Sequence, residues 1–179
     1  MSRIFEHRRV WRLDQARFEA AAALLARAIT SHLDAVDAVV GIARGGCALA
    51  DALSGALEVP AGTIRARHNP TDAIYSQGQG RVELEVDGFQ PPASTARVLV
   101  VDDICGTGAT LKAVRRYLST IAPATRVLTC TLCRNEGSCA QPDMWVWAVR
   151  DWVVFPWEER ATPTHTTLLP APAAVRFGW

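Results

Sequence analysis

Two adjacent carboxylates, Asp102 and Asp103, close a run of four aliphatic residues, Val98-Leu99-Val100-Val101. Beyond Ile104-Cys105 they are followed by Gly106-Thr107-Gly108-Ala109-Thr110. Such an apolar run reads as a buried strand that delivers both acids to the carboxyl edge of a sheet, where ligands of open α/β sheets bind. The glycines and threonines open onto a helix, and bare backbone N–H groups with the helix dipole make a site there for a phosphate dianion. Thr107 and Thr110 add hydroxyl donors. Asp102 and Asp103 then stand where sugar hydroxyls or a Mg²⁺ shell require oxygen acceptors. Neighbouring side chains of a regular strand point to opposite faces, so the strand is expected to end near Val101 if both acids serve one ligand. The spacing is not a Walker A loop, because no Gly-Lys-Ser/Thr closes it. Nor is it a dinucleotide fingerprint, because Gly106-x-Gly108 lacks the third glycine.

The elements that must position these residues are legible on either side. Asp14 is placed to cap a helix running to about Leu33, striped by Phe18, Ala21, Leu24, Leu25, Ala28 and Ile29. Ala38-Val39-Val40-Gly41-Ile42 reads as a buried parallel strand ending in Ala43-Arg44-Gly45-Gly46, with a helix over Cys47 to Leu57 and a second strand over Gly62 to Arg67. His68 to Gly88 breaks this rhythm and reads as an exposed, mobile hairpin with an irregular tip. The third strand spans Arg97 to Val101, its helix ends near Thr120, and Val127 to Leu132 and Trp145 to Val149 are two further strands. From Trp152 onward the chain is rich in Trp and Pro without a clear period. Alternating strands and helices predict an α/β fold with a largely parallel sheet.

Composition narrows the classes. The chain has 179 residues, about half of them hydrophobic, and a formal charge of +1. It can bury one good core and is expected to be a single domain over residues 1–179, with a core at about 34–150 and a smaller unit at 151–179 plus the N-terminal helix. The neutral balance offers no basic field for nucleic acid. No apolar run suits a signal peptide or a membrane span, so a cytoplasmic protein is expected. Lys112 is the only lysine, which excludes mechanisms needing one elsewhere. Cys47, Cys105, Cys130, Cys133 and Cys139 are odd in number and mostly in apolar contexts, as expected of free thiols in a reducing compartment.

The block from Val98 to Thr110 resembles the phosphoribosyl pyrophosphate (PRPP) signature of the type I phosphoribosyltransferases. Ala43-Arg44-Gly45-Gly46 is similar to that family's pyrophosphate loop. Asp151-Trp152-Val153-Val154-Phe155-Pro156-Trp157-Glu158 resembles the C-terminal hood of its xanthine–guanine and hypoxanthine (6-oxopurine) branch. The resemblance covers residues 38 to 158. It implies a three-layer fold with a mostly parallel central sheet, a flexible hairpin and a small C-terminal hood. It also implies a Mg²⁺-dependent enzyme that joins the ribose 5-phosphate of PRPP to a purine-like base and releases pyrophosphate, expected as a homodimer. Under it Gly106, Thr107, Gly108, Ala109 and Thr110 hold the 5-phosphate, and Asp102 and Asp103 take the ribose hydroxyls and face Mg²⁺ indirectly through PRPP. Arg44, Gly45 and Gly46 handle pyrophosphate with Mg²⁺. Trp152 stacks on the base, Val153 reads its edge through the backbone, and Tyr75 and Ser76 fall in the segment that closes over the reacting centre.

The chain departs from that branch at two places. Gly106 stands where the branch has an aspartate that acts as acid/base at the purine, and Arg134 replaces the lysine that reads the 6-oxo group. Two alternatives follow: a PRPP-binding regulatory protein without catalysis, or an enzyme for a specialised base of secondary metabolism. The stretch ahead of Ala38 is too short for a winged-helix DNA reader, which weighs against the first. Among the remaining residues, Cys130 and Cys133 with Cys139 read as structural thiols rather than a metal site, because a spacing of three on a strand points them to opposite faces. Cys105 reads as a small apolar filler. His68 and His165 read as solvated, Trp145, Trp147 and Trp157 as core or subunit contacts, Trp179 as an exposed or subunit-packed terminus, and Arg8, Arg9 and Arg12 as a solvated basic face.

Overall fold

A computed structural model describes residues 5–6, 8–33, 35–67, 82–85, 96–138, 140–158 and 165–179. The chain runs β1 (Val10–Arg12), α1 (Gln15–His32), β2 (Ala38–Ala43), α2 (Cys47–Leu57), β3 (Ala61–Arg67) and β4 (Glu83–Glu85). It continues through β5 (Arg97–Cys105), α3 (Ala109–Ile121), β6 (Arg126–Asn135), β7 (Met144–Val149), β8 (Trp152–Val154), β9 (Thr167–Leu168) and β10 (Arg176–Phe177). Seven strands form the main sheet in the order β10-β7-β6-β5-β2-β3-β4, and β8-β1-β9 form a small second sheet. The five inner strands of the main sheet are parallel, and its two edges, β4 on β3 and β10 on β7, are antiparallel.

Three layers result. Helices α1 and α2 cover one face: Phe18, Leu25, Ile29, Leu49 and Leu53 pack on Val39, Leu99, Val101, Leu132 and Val146. Helix α3 covers the other, where Leu111, Val114 and Leu118 meet Val40, Ile42, Ile64, Val98 and Val100. Strands buried on both faces must be apolar throughout, and Ala38–Ile42 and Val98–Val101 are. Helix α1 starts because Asp14 Oδ1 accepts the Arg17 N–H at 2.9 Å, as the sequence predicts.

Helix α1 packs against α2 and β7 in the same core cluster as Val153 and Phe155 of the hood, and the segment ahead of it, β1, pairs with β8. One expectation is corrected. Strand β5 does not end at Val101 but continues through both acids to Cys105. Its partner β2 pairs only as far as Val101, whereas β6 continues alongside to the Cys105↔Arg134 pair. The acids therefore sit on a strand held on one side, with the other side given to the turn after β2. Within the hairpin expected at 68–88 only residues 82–85 are described, where β4 pairs antiparallel with β3 in register at Arg65↔Glu85 and Ala66↔Leu84. The stretches 68–81 and 86–95, with Tyr75 and Ser76, lie outside the described residues.

Candidate active site

The turn after β2 lies close against the end of β5. Strand β2 leads through a cis Ala43–Arg44 peptide into Gly45 and Gly46, and α2 begins at Cys47. Both glycines are required by their surroundings. A Cβ built on Gly46 would lie 2.2 Å from the Val101 carbonyl oxygen, and one on Gly45 would lie 2.2 Å from Asp103 Oδ2. The turn is therefore pressed against the end of β5, and the Asp103 carboxylate rests on it. Arg44 is exposed at its rim.

Asp102 and Asp103 are both half-buried. Asp102 Oδ1 accepts the Asp103 N–H at 3.0 Å. Burial, and then the neighbouring charge of Asp103, push the Asp102 carboxyl well above the usual carboxylate range. Burial raises Asp103 to about 6, opposed by the backbone N–H of Ile104 and the Trp157 indole. Two carboxylates side by side with no cation are costly to ionise together, so this edge favours a cation or a ring of hydroxyl donors. The Trp157 indole N–H lies near enough to favour the Asp103 anion, yet Nε1 is buried without a partner of hydrogen-bonding geometry among the described residues. Its ring is stacked on Phe155 at 5.3 Å and meets Phe18 edge-on.

Beyond Cys105 the chain turns into α3. Gly108 adopts φ 78°, and a Cβ there would lie 2.2 Å from Ala140 Cβ, so the segment after β6 lies directly against the loop. Thr107 Oγ1 accepts the Ala109 N–H at 3.1 Å. Thr110 is half-buried in the first turn, and around Gly106 the space that a Cβ would enter is open for 4 Å. Behind the loop, the Cys105 thiol is buried, contacts Ser138 Oγ at 3.9 Å and is raised by burial, which suits a filler and not a thiolate.

Arg134 is drawn toward that same segment. Its guanidinium lies 5.4 Å over the Trp145 ring, and Nη2 donates to the Ser138 carbonyl at 3.4 Å. Trp152 and Val153 lie on β8 of the small sheet, Trp152 half-buried and Val153 buried at the main core. Asp103, Gly45 and Gly46 are thus in direct apposition, the 106–110 loop continues the same strand, and the hood approaches Asp103 through Trp157. Sequence reasoning placed Trp157 among core or subunit contacts and missed its nearness to Asp103; the one available signal was its place two residues after Phe155 in the hood. Thr131, whose buried Oγ1 has no partner among the described residues and which pairs in register with Asp102, was also missed, since cross-strand register is not written in the sequence.

The model of the phosphoribosyl transferase domain family matches residues 13–163. This chain belongs to that family. Its phosphoribosyltransferase domain is 36% identical over 112 residues to adenine phosphoribosyltransferase of Homo sapiens, a match covering 59% of this chain and 61% of that relative's length. Among solved structures, the phosphoribosyltransferase fold here is similar to that of a purine phosphoribosyltransferase from Pyrococcus horikoshii Ot3. That likeness has a TM-score of 0.72 and 26% identity, covering 86% of this chain and 97% of the other. It is also similar to a Helicobacter pylori xanthine-guanine-hypoxanthine phosphoribosyltransferase, with a TM-score of 0.72 and 21% identity over 84% of this chain and 94% of that one. The expected α/β fold with a mostly parallel central sheet is the fold these proteins share.

Proposed function

We propose that the protein is a Mg²⁺-dependent phosphoribosyltransferase that transfers the 5-phosphoribosyl group of PRPP to a purine-like base and releases pyrophosphate. The observation that carries this reading is the apposition of Asp103 with the Gly45–Gly46 turn, which brings the diphosphate-type loop beside the acids that precede the phosphate-type loop. In this arrangement the 106–110 loop holds the 5-phosphate, Asp102 and Asp103 accept the ribose hydroxyls, and Arg44, Gly45 and Gly46 hold the diphosphate. The anomeric C–O bond to pyrophosphate breaks with its electron pair leaving on pyrophosphate, a C–N bond forms to the base, and the base nitrogen loses its proton. The protein's contribution is positioning and charge neutralisation. Tyr75 and Ser76 complete the reading as closing residues over the centre.

Mg²⁺ fits the donor set. Asp102 and Asp103 supply hard oxygens, and no group of three or more His, Cys, Asp or Glu able to hold a metal occurs among the described residues. Such a pair would face Mg²⁺ indirectly, through PRPP: the carboxylates would hold the ribose hydroxyls and offset the charge of an ion that keeps phosphate and water ligands. The chemistry it supplies when bound is neutralisation of the departing diphosphate.

The acceptor is read as a purine stacked on Trp152, with Val153 at its edge. It is not confined to the 6-oxopurine class. Arg134, the residue otherwise placed to read a 6-oxo group, is engaged by Trp145 and Ser138, and Gly106 offers no carboxylate. The similarity to an adenine phosphoribosyltransferase points the same way. We further read the protein as cytoplasmic and homodimeric. In support of the former, no helix among the described residues is long and apolar enough to cross a membrane. The test is pyrophosphate release from PRPP and Mg²⁺ against adenine, guanine, hypoxanthine, xanthine, uracil, orotate and deazapurines. Release with one purine is expected. PRPP binding with no release for any of these bases would favour a regulatory protein or a specialised acceptor.

A further inference from the structure

The hood is held from outside itself. Strand β8 carries Trp152 and Val153, and its one neighbour in the small sheet is β1, paired at Val10↔Trp152, Trp11↔Val153 and Arg12↔Val154. The chain ahead of β1 continues along the same path. The Glu6 N–H donates to the Arg150 carbonyl at 2.8 Å, and the Arg8 N–H donates to Asp151 Oδ1 at 2.8 Å. Asp151 is 5% exposed, with Arg9 Nε 3.8 Å from its other oxygen. A carboxylate this buried strongly holds whatever donor it has. At the end of this path Phe5 is buried, its ring 5.3 Å from the Trp152 ring and tilted by 59°.

We propose that this N-terminal segment is part of the base site: Phe5 is a positioning residue that sets the plane of the Trp152 ring, and Asp151 is the latch that keeps Phe5 there. A half-buried indole with one face unsupported has several rotamers open to it, and a base stacks well on only one. Phe5 packs against the Trp152 ring at a tilt and narrows the orientations open to it, so part of the ordering cost falls on folding instead of on each binding event. The inference rests on the reading of Trp152 as the stacking ring, and it assigns to that ring a partner more than a hundred residues away that the base does not touch.

The test measures KM for the best base and for PRPP in Phe5→Leu, Phe5→Tyr, Trp152→Ala and the Phe5→Leu/Trp152→Ala double variant, with melting temperatures recorded for each. Phe5→Leu keeps apolar burial and removes the ring. It is expected to raise the base KM about threefold to tenfold with the PRPP KM unchanged, and to add nothing once Trp152 is alanine. Phe5→Tyr, which keeps the ring, should stay within about twofold of the parent. A Phe5→Leu variant with an unchanged base KM, with both KM values raised alike, or with the same effect in the Trp152→Ala background overturns the role of Phe5. Trp152→Ala with an unchanged base KM overturns the stacking reading itself, an outcome distinguishable from the first.

Discussion

The Asp103 carboxylate occupies the space a side chain at position 45 would need, with Oδ2 only 2.2 Å from the Cβ that Gly45 lacks. Strand β5 and the turn after β2 are therefore fitted to one another at the residue level. The absence of one side chain is what allows the other to reach the edge of the sheet.

Gly45→Ala should displace Asp103 or the turn. Overpacking of this kind costs about 1–3 kcal/mol of stability, and a displacement of Asp103 that removes about 1.4 kcal/mol of binding free energy weakens affinity about tenfold. The PRPP KM is expected to rise by about that factor and the base KM to change far less. Steady-state kinetics with each substrate varied would check it, and an unchanged PRPP KM would mean that Asp103 moves aside without consequence.

Asp103→Asn should act oppositely on stability and on turnover. The folded carboxyl is raised to about 6 from its ordinary 3.8, so between these values the folded chain holds the proton more tightly than the unfolded one. Stability then falls as pH rises through this window, and the full penalty remains above it. Removing the charge should raise the melting temperature of the ligand-free protein at pH 7.5 by a few degrees, corresponding to roughly 1–2 kcal/mol once partial exposure is discounted. The gain should vanish toward pH 4, while PRPP-dependent turnover falls sharply. Calorimetry at the two pH values decides it; a lower melting point for the variant at pH 7.5 would contradict the assigned burial penalty.

The two glycines of the 106–110 loop should respond differently. At Gly108 the backbone has φ 78° and Ala140 stands in the way, so Gly108→Ala should destabilise by about 1–3 kcal/mol and loosen phosphate binding. At Gly106 the added methyl meets open space, so Gly106→Ala should leave stability within about 0.5 kcal/mol. Paired thermal melts would reveal the asymmetry, and equal losses would remove it.

Cys105, Cys130 and Cys133 are buried, and burial raises each thiol above its ordinary value, most clearly for Cys130 and Cys133. All three should resist iodoacetamide at pH 7.5 in the folded protein and react fully in guanidinium. Peptide mapping by mass spectrometry would show this residue by residue; rapid labelling of Cys105 would reopen a chemical role for it.

What could be read directly were the elements whose cause is local. The Asp14 cap, the Phe18-to-Ile29 stripe, the doubly buried Ala38–Ile42 run and the helix from Cys47 to Leu57 follow from side chains within a few positions of one another. The extension of β5 to Cys105 could not, because it depends on β6 continuing beside it after β2 has turned away. The two-residue strands β9 and β10 carry too few side chains for a period to be visible. At the site, the acids and both loops stood out by residue type. Phe5 on Trp152, Trp157 near Asp103, and Arg134 over Trp145 are pairings between distant parts of the chain, and no spacing within a segment reports them.

The pairing of β1 with β8 has a consequence for how the molecule assembles. Arg8 and Asp151 are 143 residues apart in sequence, whereas β2 and β5, which lead into the two loops, pair across a far shorter separation, as at Val39↔Leu99. Closing so long a loop costs entropy before any contact rewards it, so the hood is expected to dock late, onto a sheet already formed. It is also the part with the fewest strands to hold it, and hence the part to open first. Under mild denaturant or heat the chain would then pass through a species that still grips the sugar-phosphate half of its substrate but has lost its seat for the base. Amide exchange at Val153 would outpace that at Val100.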